Sequence, residues 1–326
     1  MQNDKCKVVG GTPAPELYNR SEATLNFALC TLHFALNTAT GGKSMNTIKL
    51  NAPAKINLLL DIIRLLPNGY HSLFMVMQSV DLCDEVEVSL RDDGKITLEC
   101  TEKALPTDEK NIAYKAAVKF FEANNLNFGA DIKLTKNIPF EAGLAGGSTD
   151  AAAVLKALNT LCQTNLSDAE LCKIGVKLGA DVPFCICGGT MLAQDIGQVL
   201  SPLPKFPECY IVLVKPEAGV STKEAFAAFD SCETIRHPDC TAMLHAAANG
   251  DFSGMMENVG NVFEQFVEVP QRADIKAIMR ECGCLACCMS GSGPTVFGVF
   301  DTKEKAENCA AKIPAKLGKA YVTKPI

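Results

Sequence analysis

From residue 47 onward, apolar and polar positions alternate over much of the first third of the chain, which predicts a β-rich beginning. The first strand is interrupted at Pro53, and its period of two places Lys55 and Asn57 on one face. The sequence Pro67-Asn68-Gly69 is typical of a turn, so the next strand is expected to return as the second half of a hairpin. The strands predicted here are 47–62, 72–80, 86–90, 96–100 and 132–134.

Helical spacing of apolar residues dominates the remainder. Ser167 and Glu170 form a capping-box pattern that starts one helix, and Gly179 is expected to end it. The helix over 111–124 turns Ala113, Ala116, Ala117 and Phe120 inward. The other predicted helices are 222–229, 239–248, 253–268 and 272–282, and the other predicted strands are 182–186, 210–214 and 321–323. Helices and strands do not follow a regular βαβ order, which favours the α+β class.

A Gly-rich segment, Pro139-Phe-Glu-Ala-Gly-Leu-Ala-Gly-Gly-Ser-Thr149, leads directly into an Ala-rich amphipathic helix. Ser148 and Thr149 are expected at the N-cap of that helix. A Gly-rich loop before a helix directs free N–H groups and a positive dipole end at one point, which suits a phosphate. The loop is neither a Walker A motif nor a G-x-G-x-x-G fingerprint. The alternative interpretation is a flexible turn before a helix.

The net charge argues against one class of function, and the length predicts the number of domains. The chain has 326 residues and a formal net charge of −6, so binding of a nucleic acid polymer is not expected. Two domains are the expectation at this length, with boundaries at 45–205 and 206–326. Residues 1–44 mix Gly, Pro, Asn and Thr. They are interpreted either as a disordered extension or as a misassigned start, with Met45 as the true first residue.

Cysteine is abundant, with 16 residues, and several lie inside apolar runs. These thiols are expected to be reduced and buried in a cytoplasmic protein. No apolar run reaches the ~20 residues that a transmembrane helix needs, so no membrane association is expected. The cluster of Cys282, Cys284, Cys287 and Cys288 is interpreted as packing, with metal binding as the alternative.

Three segments together suggest phosphoryl transfer. Asp181 follows a predicted helix end and precedes an apolar segment, where a carboxylate needs a cation. Lys55 lies in an otherwise apolar strand. A Lys–Asp pair beside a phosphate-binding loop would position an alcohol for phosphoryl transfer. Taken singly, Lys55 could equally be an edge residue whose charge reaches solvent, and Asp181 a local cap.

Four motifs in order resemble the GHMP kinases, the superfamily of galactokinase, homoserine kinase, mevalonate kinase and phosphomevalonate kinase. They are Ala52-Pro-Ala-Lys-Ile-Asn57, the Gly-rich segment, Leu178-Gly-Ala-Asp-Val-Pro183 and Ser290-Gly-Ser-Gly293. The motif Pro67-Asn-Gly-Tyr-His71 is similar to the branch that phosphorylates a cytidine-diphosphate alcohol in non-mevalonate isoprenoid synthesis. The resemblance runs from Met45 to about Val322. It implies a two-domain α+β fold with ATP in the cleft between an N-terminal ATP-binding domain and a C-terminal domain.

The same resemblance implies roles for individual residues. Asp181 would accept the proton of the substrate 2-hydroxyl, and Lys55 would hold that Asp and the hydroxyl. Asn57 would line the same pocket, while Tyr70, His71 and Phe226 would bind cytosine. Mg²⁺ would ride on the phosphates of ATP, with no protein ligand assigned. The residues expected at ATP are Lys136, beside the adenosine, and Pro139, Gly143, Leu144, Ala145, Gly146, Gly147, Ser148 and Thr149.

Departures from the family pattern leave alternatives open. Phe140 and Glu141 are bulkier and more acidic than the small residues expected there, and the acid would weaken ATP binding unless its side chain turns outward. A homoserine or mevalonate type of kinase is the second interpretation, although Gly69-Tyr70-His71 argues against it. A non-catalytic metabolite sensor of the same fold is the third, and the presence of both Lys55 and Asp181 disfavours it. The oligomeric state is open between monomer and homodimer.

Overall fold

The computed structural model describes residues 46–217 and 219–326, and the predictions for residues 1–44 lie outside this range. Residues Met45–Ile326 form one compact unit. Within the described part, helices and two sheets combine, so the predicted α+β class is confirmed. The domain boundary at residue 205 stays a prediction.

The larger sheet of the described residues has seven strands. Five follow the order β3-β4-β2-β1-β8, while β5 pairs with β2 and β6 pairs with β5. Its strands are β1 (Thr47–Leu65), β2 (His71–Arg91), β3 (Ile96–Cys100), β4 (Gly129–Thr135), β5 (Thr190–Asp195), β6 (Val199–Pro202) and β8 (Gly260–Asn261). The predicted hairpin is confirmed, because β1 and β2 pair antiparallel from Thr47–Ser89 to Leu65–His71. β2 is one long strand where two short ones were predicted.

Pro53 does not interrupt β1, contrary to the prediction. The antiparallel register shifts between Pro53 and Ala54 and again between Asn57 and Leu59. A bulge accommodates a residue that cannot donate to the ladder, and bulges also redirect side chains next to functional sites. The two shifts flank Lys55 and Asn57, so the sheet itself distorts where the candidate chemistry lies.

The smaller sheet of the described residues has four strands in the order β11-β7-β10-β9, and all of its pairs are antiparallel. The strands are β7 (Tyr210–Lys215), β9 (Ala286–Met289), β10 (Val296–Phe300) and β11 (Lys319–Thr323). β7 and β11 confirm the strands predicted at 210–214 and 321–323. The turn between β9 and β10 contains the second Gly-rich motif, Ser290–Gly293.

Across the residues that the structure describes, helices pack on the sheets and bury three apolar clusters. Ala113, Ala116, Ala117 and Phe120 are fully buried, as predicted. The capping box of Ser167 and Glu170 is also confirmed. The α-helices are α1 (Ile112–Asn124), α2 (Gly146–Leu161), α3 (Asp168–Gly175), α4 (Val182–Cys187), α5 (Thr222–Asp230), α6 (Cys240–Asn249), α7 (Phe252–Glu257), α8 (Arg272–Glu281) and α9 (Lys303–Lys312), with 3₁₀ turns at Val262–Gln265 and Ala315–Leu317.

Three local predictions were wrong. Residues 182–186 form the start of α4 and not a strand, because Pro183 in the first turn fits a helix start and a short apolar run does not distinguish the two. The helix predicted over 253–268 stops at Glu257, and β8 and a 3₁₀ turn follow. α3 ends at Gly175, before Gly179, and backbone turns continue from there.

Candidate active site

The Gly-rich loop ends in a helix start without a side-chain cap. Ala145 is the N-cap of α2 in a left-handed conformation, and it makes no side-chain capping bond. The predicted N-cap positions of Ser148 and Thr149 are therefore wrong, since both lie in the first turn. The first helical bond runs from Thr149 N to Ala145 O. The N–H groups of the three residues before Thr149 thus have no partner within the helix, as a phosphate site requires.

The loop takes its shape from a close contact with the second Gly-rich turn. Gly143 has a φ of +73°, and a Cβ there would lie 2.2 Å from Ser290 O. Ser290 Oγ donates to Gly143 O at 3.0 Å and accepts from Asn57 N at 3.3 Å. Lys55 N donates to Leu144 O at 3.1 Å. The Gly-rich loop, the second turn and β1 therefore meet at one place.

Lys55, Asn57 and Asp181 come together at this meeting point. The Lys55 side chain is 5% exposed, and its Nζ donates to Asn57 Oδ1 at 2.7 Å. The same Nζ lies 3.7 Å from Asp181 Oδ2. A buried ammonium requires partners of this kind. The structure therefore places the three residues as a cation held between an amide oxygen and a carboxylate.

Asp181 lies at the start of α4, not at a helix end as the sequence suggested. It is the N-cap of α4, yet its side chain makes no capping bond. The side chain is 34% exposed, so the carboxylate is open to solvent on one side and faces Lys55 on the other. This is a geometry in which a carboxylate can take a proton from a bound hydroxyl.

Asn261 was not predicted from the sequence and holds the second turn. Its side-chain amide donates to Met289 O and to Gly291 O, each at 2.8 Å. A Cβ at Gly291 would lie 3.5 Å from Lys55 Nζ. Asn261 therefore fixes the backbone that covers the buried ammonium. A lone Asn after Gly260 carries no sequence signal for this contact.

Lys136 lies beneath the loop in a buried ion cluster and does not reach an open surface. Its side chain is 6% exposed, and its ammonium contacts Asp84 and, at 2.5 Å, Asp150 Oδ2. A Cβ at Gly146 would lie 3.5 Å from its Nζ. Two carboxylates hold the ammonium of Lys136, and its contact with the adenosine stays a prediction. Lys136 supports the start of α2 from below.

Burial raises the pKa of Asp150 to about 7, and Lys136 opposes that shift. The native state then binds the proton more tightly than the unfolded chain, whose Asp has a pKa of about 3.9. The stability that Asp150 contributes by binding this proton is complete below its pKa in the unfolded chain. It is lost as the pH rises through its pKa in the native state. We expect Asp150→Asn to flatten the decline of the free energy of unfolding between pH ~5 and ~8, measured by denaturant titration at each pH.

The control for this experiment is Asp131→Asn. Hydrogen bonds from Thr97 and Arg91 lower the pKa of Asp131. Its contribution is present at neutral pH and is lost only as the pH falls into the acid range. Parallel stability curves for wild type and Asp150→Asn between pH ~5 and ~8 would contradict the shift assigned to Asp150.

A second cluster of predicted residues lies where β1 and β2 pair at Leu65 and His71. The His71 ring stacks on Phe226, with centroids 4.7 Å apart and an interplanar angle of 16°. His71 Nε2 lies 2.7 Å from Asp230 Oδ1, and the His71 side chain is 8% exposed. Tyr70 is 61% exposed. The structure thus joins His71 to Phe226 and leaves the Tyr70 ring available to a ligand.

Asp230 was missed in the sequence, although it follows Phe226 by one helical turn on α5. A carboxylate that accepts from Nε2–H leaves Nδ1 of a neutral imidazole as an acceptor. The pair would therefore present a defined hydrogen-bonding edge beside two aromatic faces. Such a combination suits a flat base with both donor and acceptor groups.

Glu141, suspected of repelling phosphates, turns toward the segment after β7. A Cβ at Gly219 would lie 2.9 Å from its Oε2. With Phe140, Lys215 and Tyr321 it lines a cleft of about 490 Å³. The carboxylate of Glu141 therefore points toward the segment after β7 and not toward the start of α2.

In residues 46–217 and 219–326, no group of three or more His, Cys, Asp or Glu side chains is arranged to hold a metal ion. Cys282, Cys284 and Cys287 are half-buried and Cys288 is buried. Among the same residues, each helix is too short or too polar to cross a bilayer.

Comparison with known proteins gives consistent matches. Residues 111–189 match the family model of the GHMP kinases N terminal domain, and residues 243–319 match that of the GHMP kinases C terminal. The 4-diphosphocytidyl-2-C-methyl-D-erythritol kinase of Clostridium tetani (strain Massachusetts / E88) is 43% identical over 282 residues, covering 86% of this chain and 100% of the relative. The kinase of the same name from Exiguobacterium sibiricum is 43% identical, covering 85% and 98%.

Solved structures show the same likeness. A crystal structure of 4-(cytidine 5'-diphospho)-2C-methyl-D-erythritol kinase has a TM-score of 0.72 at 31% identity, covering 85% of this chain and 99% of that one. The homoserine kinase of Cytophaga hutchinsonii has a TM-score of 0.68 at 22% identity, covering 87% and 97%. The second match supports the fold alone.

Proposed function

The chain belongs to the GHMP kinases, and among them to the 4-diphosphocytidyl-2-C-methyl-D-erythritol kinases, and we propose how the residues of its site carry out that reaction. It is an ATP-dependent phosphotransferase of the non-mevalonate route to isoprenoid precursors. The γ-phosphate of ATP passes to the 2-hydroxyl of the cytidyl compound. The observation that carries the residue assignment is the contact of Lys55 with both Asn57 and Asp181 beside the Gly-rich loop.

Asp181 is the general base of this proposal. Its carboxylate takes the proton of the 2-hydroxyl as that oxygen forms a bond to the γ-phosphorus, while the bond from the γ-phosphorus to ADP breaks. Lys55 holds Asp181 in place and stabilises the oxygen as its negative charge grows. Asn57 orients Lys55 through the 2.7 Å hydrogen bond, so the three residues act as one unit.

The Gly-rich loop binds the phosphates. The N–H groups of Gly146, Gly147 and Ser148 and the positive end of the α2 dipole face the negative charge. Mg²⁺ commonly binds through phosphates and one or two carboxylates, and we assign it to the phosphates of ATP. When bound, the ion neutralises charge on the transferred group. The protein's own part is to place the phosphates at the helix start.

The cytidine end of the substrate is assigned to Tyr70, His71 and Phe226. On β2, His71 is six residues from Met77, which pairs with Asn57. At ~3.3 Å per residue this is a separation of roughly 20 Å between the two clusters. An extended substrate with the base at one end and the hydroxyl at the other would lie along this strand. Asp230 would keep His71 in one tautomer.

Replacing Tyr70 by Ala should weaken binding of the cytidyl substrate. A stacked base contributes about 1–3 kcal/mol when its aromatic partner is removed, so KM should rise roughly 5- to 150-fold with kcat nearly unchanged. Steady-state kinetics at saturating ATP measures this. Tyr114→Ala, a partly buried Tyr of α1, is the comparison for a general loss of stability. An unchanged KM in Tyr70→Ala would refute the cytosine assignment.

The reaction is tested by identifying its product. The protein is incubated with Mg-ATP and 4-diphosphocytidyl-2-C-methyl-D-erythritol, and ³¹P NMR follows the phosphorus signals. We expect a new phosphomonoester signal coupled to the carbon that carries the 2-hydroxyl, together with ADP. Formation of inorganic phosphate without that signal would contradict the proposed transfer. We place the enzyme in the cytoplasm, where its many thiols stay reduced, as a monomer or homodimer.

A further inference from the structure

Two thiols face each other across the contact between α3 and α4. Cys172 Sγ lies 3.9 Å from Cys187 Sγ and 3.6 Å from Pro183 O. Both cysteines are free and half-buried. Neither thiol belongs to the residues assigned to phosphate, proton transfer or cytidine, so the pair is available for other chemistry.

The two thiols differ in reactivity. The hydrogen bond from Cys172 lowers the pKa of Cys187, and burial works against that shift. The same hydrogen bond and burial raise the pKa of Cys172. The thiolate is the reactive form of cysteine. Cys187 is therefore the attacking thiol of the pair, and Cys172 is placed to resolve the product.

A bond between these sulfurs would act on the helix that begins at Asp181. A disulfide has an S–S distance of about 2.05 Å, so the sulfurs must approach from 3.9 Å. A Cβ at Gly175 would lie 2.8 Å from Val182 Cγ1, so α3 and α4 are already packed closely there. α4 is a single short helix from its N-cap Asp181 to Cys187. A bond that pulls α4 toward α3 would carry its N-cap residue Asp181 with it.

We propose that Cys172 and Cys187 form a thiol–disulfide modification site that lowers turnover on oxidation by displacing Asp181 from Lys55. This inference rests on the proposed role of Asp181. The Cys187 thiolate attacks a low-molecular-weight disulfide, forming a mixed disulfide and releasing one thiolate. Cys172 then loses its proton and attacks Cys187 Sγ, releasing the second thiolate. The protein gives up two protons and two electrons, and the small disulfide becomes two thiols.

The test uses the full chain and oxidised glutathione as the oxidant. After alkylation and digestion, mass spectrometry should find the Cys172 and Cys187 peptides joined. We expect kcat to fall at least ~10-fold, because a misplacement of about 1 Å can cost up to ~10² in rate. The dissociation constant of ATP should stay unchanged, and dithiothreitol should restore kcat. Cys187→Ser should be insensitive to the oxidant.

Cys287→Ser is the matched control, because a hydrogen bond from Cys284 lowers the pKa of Cys287 to about 7 at a separate thiol pair. It should remain as sensitive to oxidation as the wild type. The inference is overturned if the joined peptide is absent, if it forms without a fall in kcat, or if Cys187→Ser loses activity on oxidation. No turnover in the reduced protein would refute the proposed function separately. In that case, amide hydrogen exchange of residues 181–187 is compared before and after oxidation. A change in exchange is expected, and unchanged exchange would overturn the inference.

Discussion

Asp181→Asn is expected to lower kcat by ~10²-fold or more while ATP still binds, because a positioned base contributes ~10²–10⁴ to the rate. The amide keeps the shape of the side chain at the start of α4 but cannot accept the proton. The carboxylate makes no capping bond, so the substitution removes no hydrogen bond from the helix start. A coupled assay for ADP gives kcat, and calorimetric titration gives the dissociation constant of ATP.

Asp274→Asn is the control for this variant, since Asp274 is an exposed Asp in the first turn of α8. It should turn over like the wild type. A kcat of Asp181→Asn within about threefold of the wild-type value, far below the ~10² that a general base supplies, would remove Asp181 from the mechanism. Loss of ATP binding in Asp181→Asn would show that the carboxylate acts on the nucleotide site and not on the hydroxyl.

Lys55→Met is expected to lower kcat by a similar factor of ~10² or more, because the developing charge loses its electrostatic partner. Met keeps the length and apolar stem of Lys, so the buried site stays filled. Asp181 would lose the cation 3.7 Å away, and Asn57 Oδ1 would lose its donor.

Lys49→Met is the matched control on the same strand. Lys49 is 56% exposed in a surface ion pair with Glu85, and solvent-exposed pairs of this kind contribute little to stability. Its variant should therefore keep both kcat and stability. Turnover of Lys55→Met close to the wild-type value would make Lys55 a structural residue. Unfolding titrations of the two variants separate a loss of chemistry from a loss of fold.

Most helices, strands and turns could be predicted because each depends on residues that are close together in the sequence. The turn at Pro67-Asn68-Gly69, the capping box at Ser167 and the inward face of α1 all depend on residues close in sequence. Predictions were wrong where one pattern serves two structures. The apolar run 182–186 fits a buried strand or a short helix. In the fold, Gly175 of α3 packs closely against Val182 and Ile186 of α4.

The site residues that belong to sequence motifs could be predicted. The long-range contacts that support them could not. His71 and Asp230 are separated by 159 residues, and Asn57 and Ser290 by 233. Contacts of this kind depend on how the sheets pack, which a single sequence does not encode locally. Lys136 illustrates the limit. Its position beside the loop was visible in the sequence, but the two carboxylates that enclose it come from β2 and α2.

The most direct test of the central claim is ADP release with Mg-ATP and a panel of acceptors: 4-diphosphocytidyl-2-C-methyl-D-erythritol, mevalonate, homoserine and water. The account predicts turnover with the cytidyl compound, and with it alone at a high kcat/KM. Preference for mevalonate or homoserine would contradict the cytosine site at Tyr70, His71 and Phe226 while keeping the phosphotransfer chemistry. Tight ATP binding without turnover of any acceptor would contradict the assignment of Lys55 and Asp181 and would favour a metabolite sensor.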